Sequence, residues 1–185
     1  MRALRFLVGA AAGFLVWWYG ALVYNGALSF VAERVLQFDQ RLCGPHLVAD
    51  DRKVDVSPRL CVVPTATIPA DELTYNLILF AALFAMRFRN AMSLIASLFA
   101  LVISHVLSLA LSVESTYAAQ QGAWSTAHYS ALAQQMWVGA EFWWRLVGMF
   151  AFVFAIWWLT LESTSPLRNS SDARRPKRAA ARDRR

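Results

Sequence analysis

Charge is scarce in this sequence. Asp, Glu, Lys and Arg make up 16% of its 185 residues, whereas soluble domains average about 25%. Apolar residues reach 58% and the mean hydropathy is +0.40. The apolar residues form blocks and lack the spacing of an amphipathic helix. This composition argues against an ordinary soluble domain and favours a small integral membrane protein.

Familiar catalytic and nucleotide-binding motifs are also missing. The sequence contains no P-loop, G-x-G-x-x-G, H-E-x-x-H, G-x-S-x-G or C-x-x-C-H pattern. His46 and His128 lack the ligand spacing of a metal site. We therefore predict no metal and no cofactor, and favour a non-catalytic protein while leaving catalysis open.

Four long stretches are almost free of charge, which predicts an all-α integral membrane protein with four transmembrane helices. The predicted spans are 6–32, 70–87, 91–113 and 140–161, within a domain that covers 1–165. The second span is short unless Asp71 and Glu72 form its first turn and Arg87 extends its end toward water.

Tryptophan pairs bracket the last span. Trp143 and Trp144 stand at one end, and Trp157 and Trp158 stand near the other. Helical rise separates Trp144 from Trp157 by about 20 Å. Indole rings prefer the boundary between membrane and water, so this spacing is typical of a membrane-spanning helix.

Basic residues predict the orientation. Twelve of the eighteen Lys and Arg residues fall near the two termini or in the turn at 87–89. The positive-inside rule then places both termini in the cytoplasm of a multi-pass protein of the bacterial inner membrane. The first apolar block is too long for a cleaved signal peptide, and we expect it to be an uncleaved anchor.

Two outer loops and a tail complete the prediction. The loop 33–69 contains two or three short strand patterns, which predict a small β-like unit. The loop 114–139 is polar and rich in alanine, with helical turns expected around Gly122. The tail 166–185 is basic and is expected to be disordered and to contact anionic lipid, without binding a specific nucleic acid.

Small residues predict helix packing. Gly9, Gly13 and Gly20 recur on one side of the first span and could receive another helix of the chain or a helix of a second protein. A serine stripe on the third span includes Ser97, Ser104 and Ser108. It would serve either helix packing or a polar transport path.

The two cysteines, Cys43 and Cys61, fall in the first outer loop. A disulfide between them would be favoured in an oxidising compartment and would stabilise the fold by about 3 kcal/mol in the chain-entropy model. The alternative is a reactive thiol, since Arg41 and Arg59 each lie two residues from a cysteine.

Three ionisable side chains are candidates for a site at or within the membrane. Glu141 and Arg145 are four residues apart and can pair on one helix face. His105 could be bonded to a serine, to Asn25 or to Asn76, or could handle protons or bind a partner. The sequence leaves these alternatives open.

The layout resembles a known family. The features that carry the resemblance are a basic N-terminus, a long aromatic first helix, a short outer β-like loop, the segment "DELTYNLILFAALFAMRFRNAMSLIASLFALVISHVLSLALS" and a final tryptophan-rich helix. Residues 1 to about 163 resemble the small membrane proteins that accompany exosortase H, a bacterial membrane enzyme of the sortase-like class.

The resemblance implies an accessory partner or scaffold for a processing enzyme. It transfers no catalytic residue, because Cys43 in "RLCGP" and Cys61 in "RLCVVP" lack the small-residue context of the enzymes' cysteine. Two other hypotheses stay open at this point. One is a small membrane enzyme with an outer-face Cys, His and Arg site, and the other is a subunit of a transport or envelope-assembly complex.

Overall fold

The computed structural model describes residues 1–60, 62–87 and 91–162, and these ranges are mostly helical. The helices are α1 (Arg2–Leu36), α2 (Asp71–Thr74), α3 (Asn76–Arg87), α4 (Ala91–Ala119), α5 (Ala123–His128), α6 (Ala131–Trp143) and α7 (Met149–Glu162). A 3₁₀ turn covers Gln40–Leu42, and a π-helical segment, Trp144–Gly148, joins α6 to α7. The strands are β1 (Pro45–Asp50), β2 (Lys53–Pro58) and β3 (Ala66–Pro69). The predicted helical fold with a small β unit is thus confirmed, while Cys61 and the tail 166–185 lie outside the described residues.

Three helices in the described part of the chain are long and apolar enough to cross a membrane. They cover Arg2–Leu36, Ala91–Ala119 and Ala131–Thr160. The predicted second span corresponds to α2 and α3, which are separated at Tyr75. Because α3 has 12 residues, it is only about 18 Å long, shorter than a bilayer's apolar layer of about 30 Å. The count of four spans therefore stays a prediction.

One apolar core holds the helices together near the N-terminus of the chain. Its buried side chains come from α3, α4 and α7: Phe80, Leu83, Phe84, Leu101, Val153 and Ile156. Phe80 and Phe84 stack with ring centroids 4.3 Å apart. We call this part the bundle, and α3 belongs to it whether or not it spans the membrane alone.

A second core joins the sheet to the far halves of α1 and α4, and we call this part the head. The strands pair antiparallel in the order β1-β2-β3. Alternate residues of β2 are buried, as expected for a sheet with one covered face. They pack with side chains of both helices: Leu28, Ala32 and Leu36 of α1, and Leu109, Val113 and Tyr117 of α4. This packing explains why α4 ends at Ala119, beyond the predicted span end at 113.

The tip of the β1–β2 hairpin lies halfway along α1. Asp51 adopts a left-handed conformation with φ of 51° at the turn, which Asp tolerates better than most residues. Its carbonyl accepts a hydrogen bond of 2.9 Å from Asn25 Nδ2. The Arg52 guanidinium lies 3.5 Å from the ring centroid of Trp18, a cation–π contact. The hairpin tip is thus fixed to the middle of α1 by a hydrogen bond and a cation–π contact.

The π-helical segment carries the side chains of Trp144 and Arg145. A Cβ added at Gly148 would lie 2.6 Å from the Trp144 ring, so the absence of a side chain at Gly148 makes room for that indole. The Trp144 indole N–H donates to Ser108 Oγ over 2.7 Å. Isolated π turns of this kind frequently occur at functional sites.

Candidate functional site

A group of polar side chains crosses the molecule between the bundle and the head, and we call it the polar belt. Its members come from five helices and the π segment: Tyr24, Glu72, Asn76, His105, Ser108, Ser112, Glu141, Trp144 and Arg145. Sequence separations between hydrogen-bonded partners range from 29 to 81 residues, whereas the ion pair of Glu141 with Arg145 is local. Apart from that pair, the fold alone brings these groups together.

His105 is fully buried at the centre of the belt. Its Nε2 is bonded to Asn76 Oδ1 and its Nδ1 to the Tyr24 hydroxyl. An amide oxygen only accepts, so the Nε2 atom carries the proton and Nδ1 accepts from Tyr24. The imidazole thus connects α1, α3 and α4. Of the partners that the sequence suggested for His105, Asn76 is the one that bonds it in the structure.

Three buried polar atoms near this centre have no hydrogen-bond partner among the described residues. They are Asn25 Oδ1, Ser29 Oγ and Asn76 Nδ2. Asn25 does not reach His105 and instead bonds the hairpin tip through its Nδ2 atom. Both predicted asparagines therefore connect one element to another.

The serine stripe on α4 faces the interior. Ser97, Ser104 and Ser108 are buried. The hydroxyl of Ser104 donates to Leu101 O, and that of Ser108 to Ser104 O, each over 2.8 Å. Ser108 also accepts from Trp144, so the stripe joins α4 to the π segment. These contacts are those of helix packing.

Arg145 lies between two carboxylates at the edge of the belt. Its Nη2 atom is bonded to Glu72 Oε2, and its Nη1 atom lies 3.5 Å from Glu141 Oε1. The same Glu141 oxygen accepts from Ser112 Oγ over 2.6 Å. The sequence indicated the pair with Glu141 from its spacing. Glu72 was missed because 73 residues separate it from Arg145 and no local pattern signals the contact.

The predicted glycines differ in their surroundings. A Cβ at Gly13 would lie 2.7 Å from the Ala81 Cβ, and one at Gly9 would overlap Ala85, so both glycines face α3. No described atom lies within 4 Å of a Cβ built at Gly20. Gly20 instead lines an apolar groove of about 320 Å³ between α1 and α3.

Cys43 lies at the edge of the head. It follows the 3₁₀ turn in a left-handed conformation with φ of 52° and packs against the head core. With Arg59 it lines a pocket of about 540 Å³. Cys43 is disulfide-bonded and is not a free thiol, whereas its predicted partner Cys61 lies outside the described residues.

The sequence did not predict two further ionic clusters in the head. Glu33 accepts from the Leu47 N–H over 3.1 Å and lies 2.9 Å from His46 Nδ1 and 3.8 Å from Arg59. In the other cluster, Asp39 is bonded to Arg41, whose guanidinium lies 4.6 Å from the Tyr129 ring centroid.

The second cluster shifts the pKa values of its members, Asp39 and Tyr129 among them. Burial alone would raise the pKa of Asp39, but hydrogen bonds with Arg41 and Glu114 outweigh it and hold the pKa below the usual value. Burial and the neighbouring Glu114 charge raise the pKa of the Tyr129 hydroxyl. Only the pairing of Asp39 with Arg41 has a local sequence signal, a spacing of two residues.

Metal binding finds no support in the ranges 1–60, 62–87 and 91–162. No group of three or more His, Cys, Asp or Glu side chains there could hold an ion. Comparisons with family models, with curated proteins and with solved structures gave no match. The polar belt and the three long apolar helices are therefore the features of the molecule that bear on its function.

Proposed function

We propose that this protein is a non-catalytic accessory membrane protein, a partner or scaffold of an exosortase-type protein-processing system. In this proposal it spans the bacterial inner membrane four times, with α3 as the short second span and both termini in the cytoplasm. The head then stands on the outer face of the membrane, where the processing of secreted proteins takes place.

The contacts of His105 and Arg145 support the non-catalytic part of this proposal. His105 connects three helices through both ring nitrogens. Arg145 connects α2 to α6 through two carboxylates. A catalytic acid, base or nucleophile needs a face open to substrate, whereas His105 is fully buried and bonded on both ring nitrogens. The arrangement of His105 and Arg145 is that of a structural connection between the bundle and the head.

The partner in this proposal comes from the resemblance in layout. The basic N-terminus, long first helix, outer β unit and tryptophan-rich last helix all occur in the described chain as helices and strands. Exposed apolar side chains on α1, α4 and α6 provide surface for lipid and for a second membrane protein.

The alternative of a small membrane enzyme would use Cys43, His46 and Arg59. Cys43 and Arg59 line the same pocket in the head, and the Arg59 Nη2 atom donates to His46 Nδ1 over 2.7 Å. Cys43 is disulfide-bonded in the structure, so this enzyme would require reduction of that cysteine to expose its thiol.

Complementation of a deletion strain separates the two functions. We expect Cys43→Ser, His46→Gln and Arg59→Gln to leave activity proportional to the amount of membrane-inserted protein, because a scaffold loses function gradually. Each variant is scored beside Arg34→Gln, which alters a cation of α1 outside this pocket. If one of these three variants inserts normally but loses all activity, the protein is an enzyme instead, since catalytic groups act as a unit. Co-purification with the exosortase-type enzyme of the same bacterium tests the partner.

A further inference from the structure

A pocket of about 400 Å³ opens beside Arg145, where the start of α3 meets α6 and the π segment. Three aromatic rings line it, those of Tyr75, Phe142 and Phe150. Tyr75 and Phe150 contact each other with ring centroids 5.8 Å apart. Glu141 and Arg145 complete the lining, so opposite charges lie side by side in an aromatic setting.

Both charged groups have unused bonding capacity. A guanidinium has five N–H donors, and those of Arg145 meet only Glu72 and Glu141 among the described residues. Glu141 uses its Oε1 atom for Ser112 and Arg145, which leaves Oε2 without a partner in the described part of the chain. The pocket therefore offers both donors and an acceptor to a ligand.

The balance of charge selects the kind of ligand. Arg145 lies between two carboxylates, so the three groups together carry one negative charge at neutral pH. A simple anion would be repelled by Glu72 and Glu141, and a simple cation would leave the spare guanidinium donors of Arg145 unused. A zwitterion avoids both penalties when its anionic group meets the guanidinium and its cationic group meets Glu141. Aromatic rings add cation–π attraction for an ammonium group.

The position of the pocket favours an amphiphile over a soluble molecule. Leu146 and Phe150, which line it, begin the apolar stretch 146–161. Phe142 and Leu146 are exposed. Hydrocarbon chains could follow α7 from here into the apolar layer, while the headgroup stays at the level of the polar belt.

We infer that this pocket binds the headgroup of an aminophospholipid, with the phosphate on Arg145 and the primary ammonium on Glu141. The site does not depend on the proposed enzyme partner. It gives the protein a preference for one lipid class at the membrane boundary next to the head.

The test uses the delipidated full-length protein in mild detergent. Phosphatidylethanolamine, phosphatidylglycerol and phosphatidylcholine with identical acyl chains are titrated separately, and native mass spectrometry measures the bound fraction. We expect phosphatidylethanolamine to bind at least tenfold more tightly than the other two lipids. Equal or tighter binding of either other lipid would overturn the assignment, as would equally tight binding of soluble glycerophosphoethanolamine, which lacks the chains.

Three variants locate the site. Arg145→Gln and Glu141→Gln should each reduce the preference for phosphatidylethanolamine at least tenfold. Phe142→Ala, at an exposed position, keeps the test valid if the charge variants fail to fold, and it should weaken binding several-fold. The matched control is Arg34→Gln, whose guanidinium contacts Phe30 on α1. The inference fails if Phe142→Ala binds phosphatidylethanolamine as tightly as the unsubstituted protein does, or if Arg34→Gln loses as much binding as the pocket variants.

Discussion

At the scale of single residues, the two ring nitrogens of His105 organise the centre of the molecule. Tyr24 and Asn76 reach the imidazole from different helices, and both bonds lie in a buried environment. A buried polar group left without a partner costs about 1–3 kcal/mol. Replacement of the histidine would therefore be felt on three helices at once.

We predict that His105→Leu lowers stability by about 2–4 kcal/mol, because it leaves the Tyr24 hydroxyl and Asn76 Oδ1 without their partner. Thermal unfolding in detergent, followed by circular dichroism, measures the effect. His128→Leu is the control, because His128 is exposed and, among the described residues, contacts only Trp124 of its own helix, through the Trp124 carbonyl and by stacking on the indole. A His105 variant as stable as the control would show that the buried connection contributes nothing.

At the scale of elements, α1 and α3 pack most closely at two glycines. Gly13 faces Ala81 and Ile78, and Gly9 faces Ala85. Where α3 begins, this cover ends, and Gly20 further along α1 faces open space. The same substitution is therefore expected to have different effects on stability at Gly13 and at Gly20.

We predict that Gly13→Ala lowers stability by about 1–3 kcal/mol, because the added methyl group overlaps α3. The matched Gly20→Ala should leave stability unchanged or raise it by up to about 1 kcal/mol, because alanine favours helix. Unfolding by denaturing detergent measures both variants. Equal destabilisation of the two would contradict the close packing at Gly13.

The sequence predicted most elements for clear physical reasons, and it failed where long-range packing decides. Runs without charge indicated α1, α4 and α7, and the strand patterns in 33–69 indicated the sheet. The length of α4 was underestimated because Val113 and Tyr117 are buried by the sheet, which no local pattern reveals. In the polar belt, the spacing of Glu141 and Arg145 was readable, whereas Glu72 and Tyr24 were not, because their partners are distant in sequence.

At the scale of the whole molecule, the proposed topology makes the charged hairpin tip and the polar belt one limit of the apolar layer. Asp50, Asp51 and Lys53 are exposed at that tip. Exposed charges and open strand edges are not tolerated in hydrocarbon. In the proposed topology the sheet therefore lies outside the layer, on the side opposite the N-terminus of α1.

We predict that Lys53→Cys reacts with a membrane-impermeant thiol reagent in intact cells, because the proposed topology places the head on the outer face. A reporter that requires the cytoplasm, fused after Arg185, should be active in the same cells. The unsubstituted protein measures any labelling of Cys43 and Cys61. Protection of Lys53→Cys until the cells are lysed, or an inactive reporter, would reverse or reject the proposed topology.

Continuous helices have a mechanical consequence for the head. Both α1 and α4 run without interruption from the bundle into the head, where they carry part of its core. Because neither helix is interrupted there, we expect a tilt of the two helices to turn the sheet with them. A local change in bilayer thickness that tilts the bundle would thus move the hairpin tip sideways over the membrane surface.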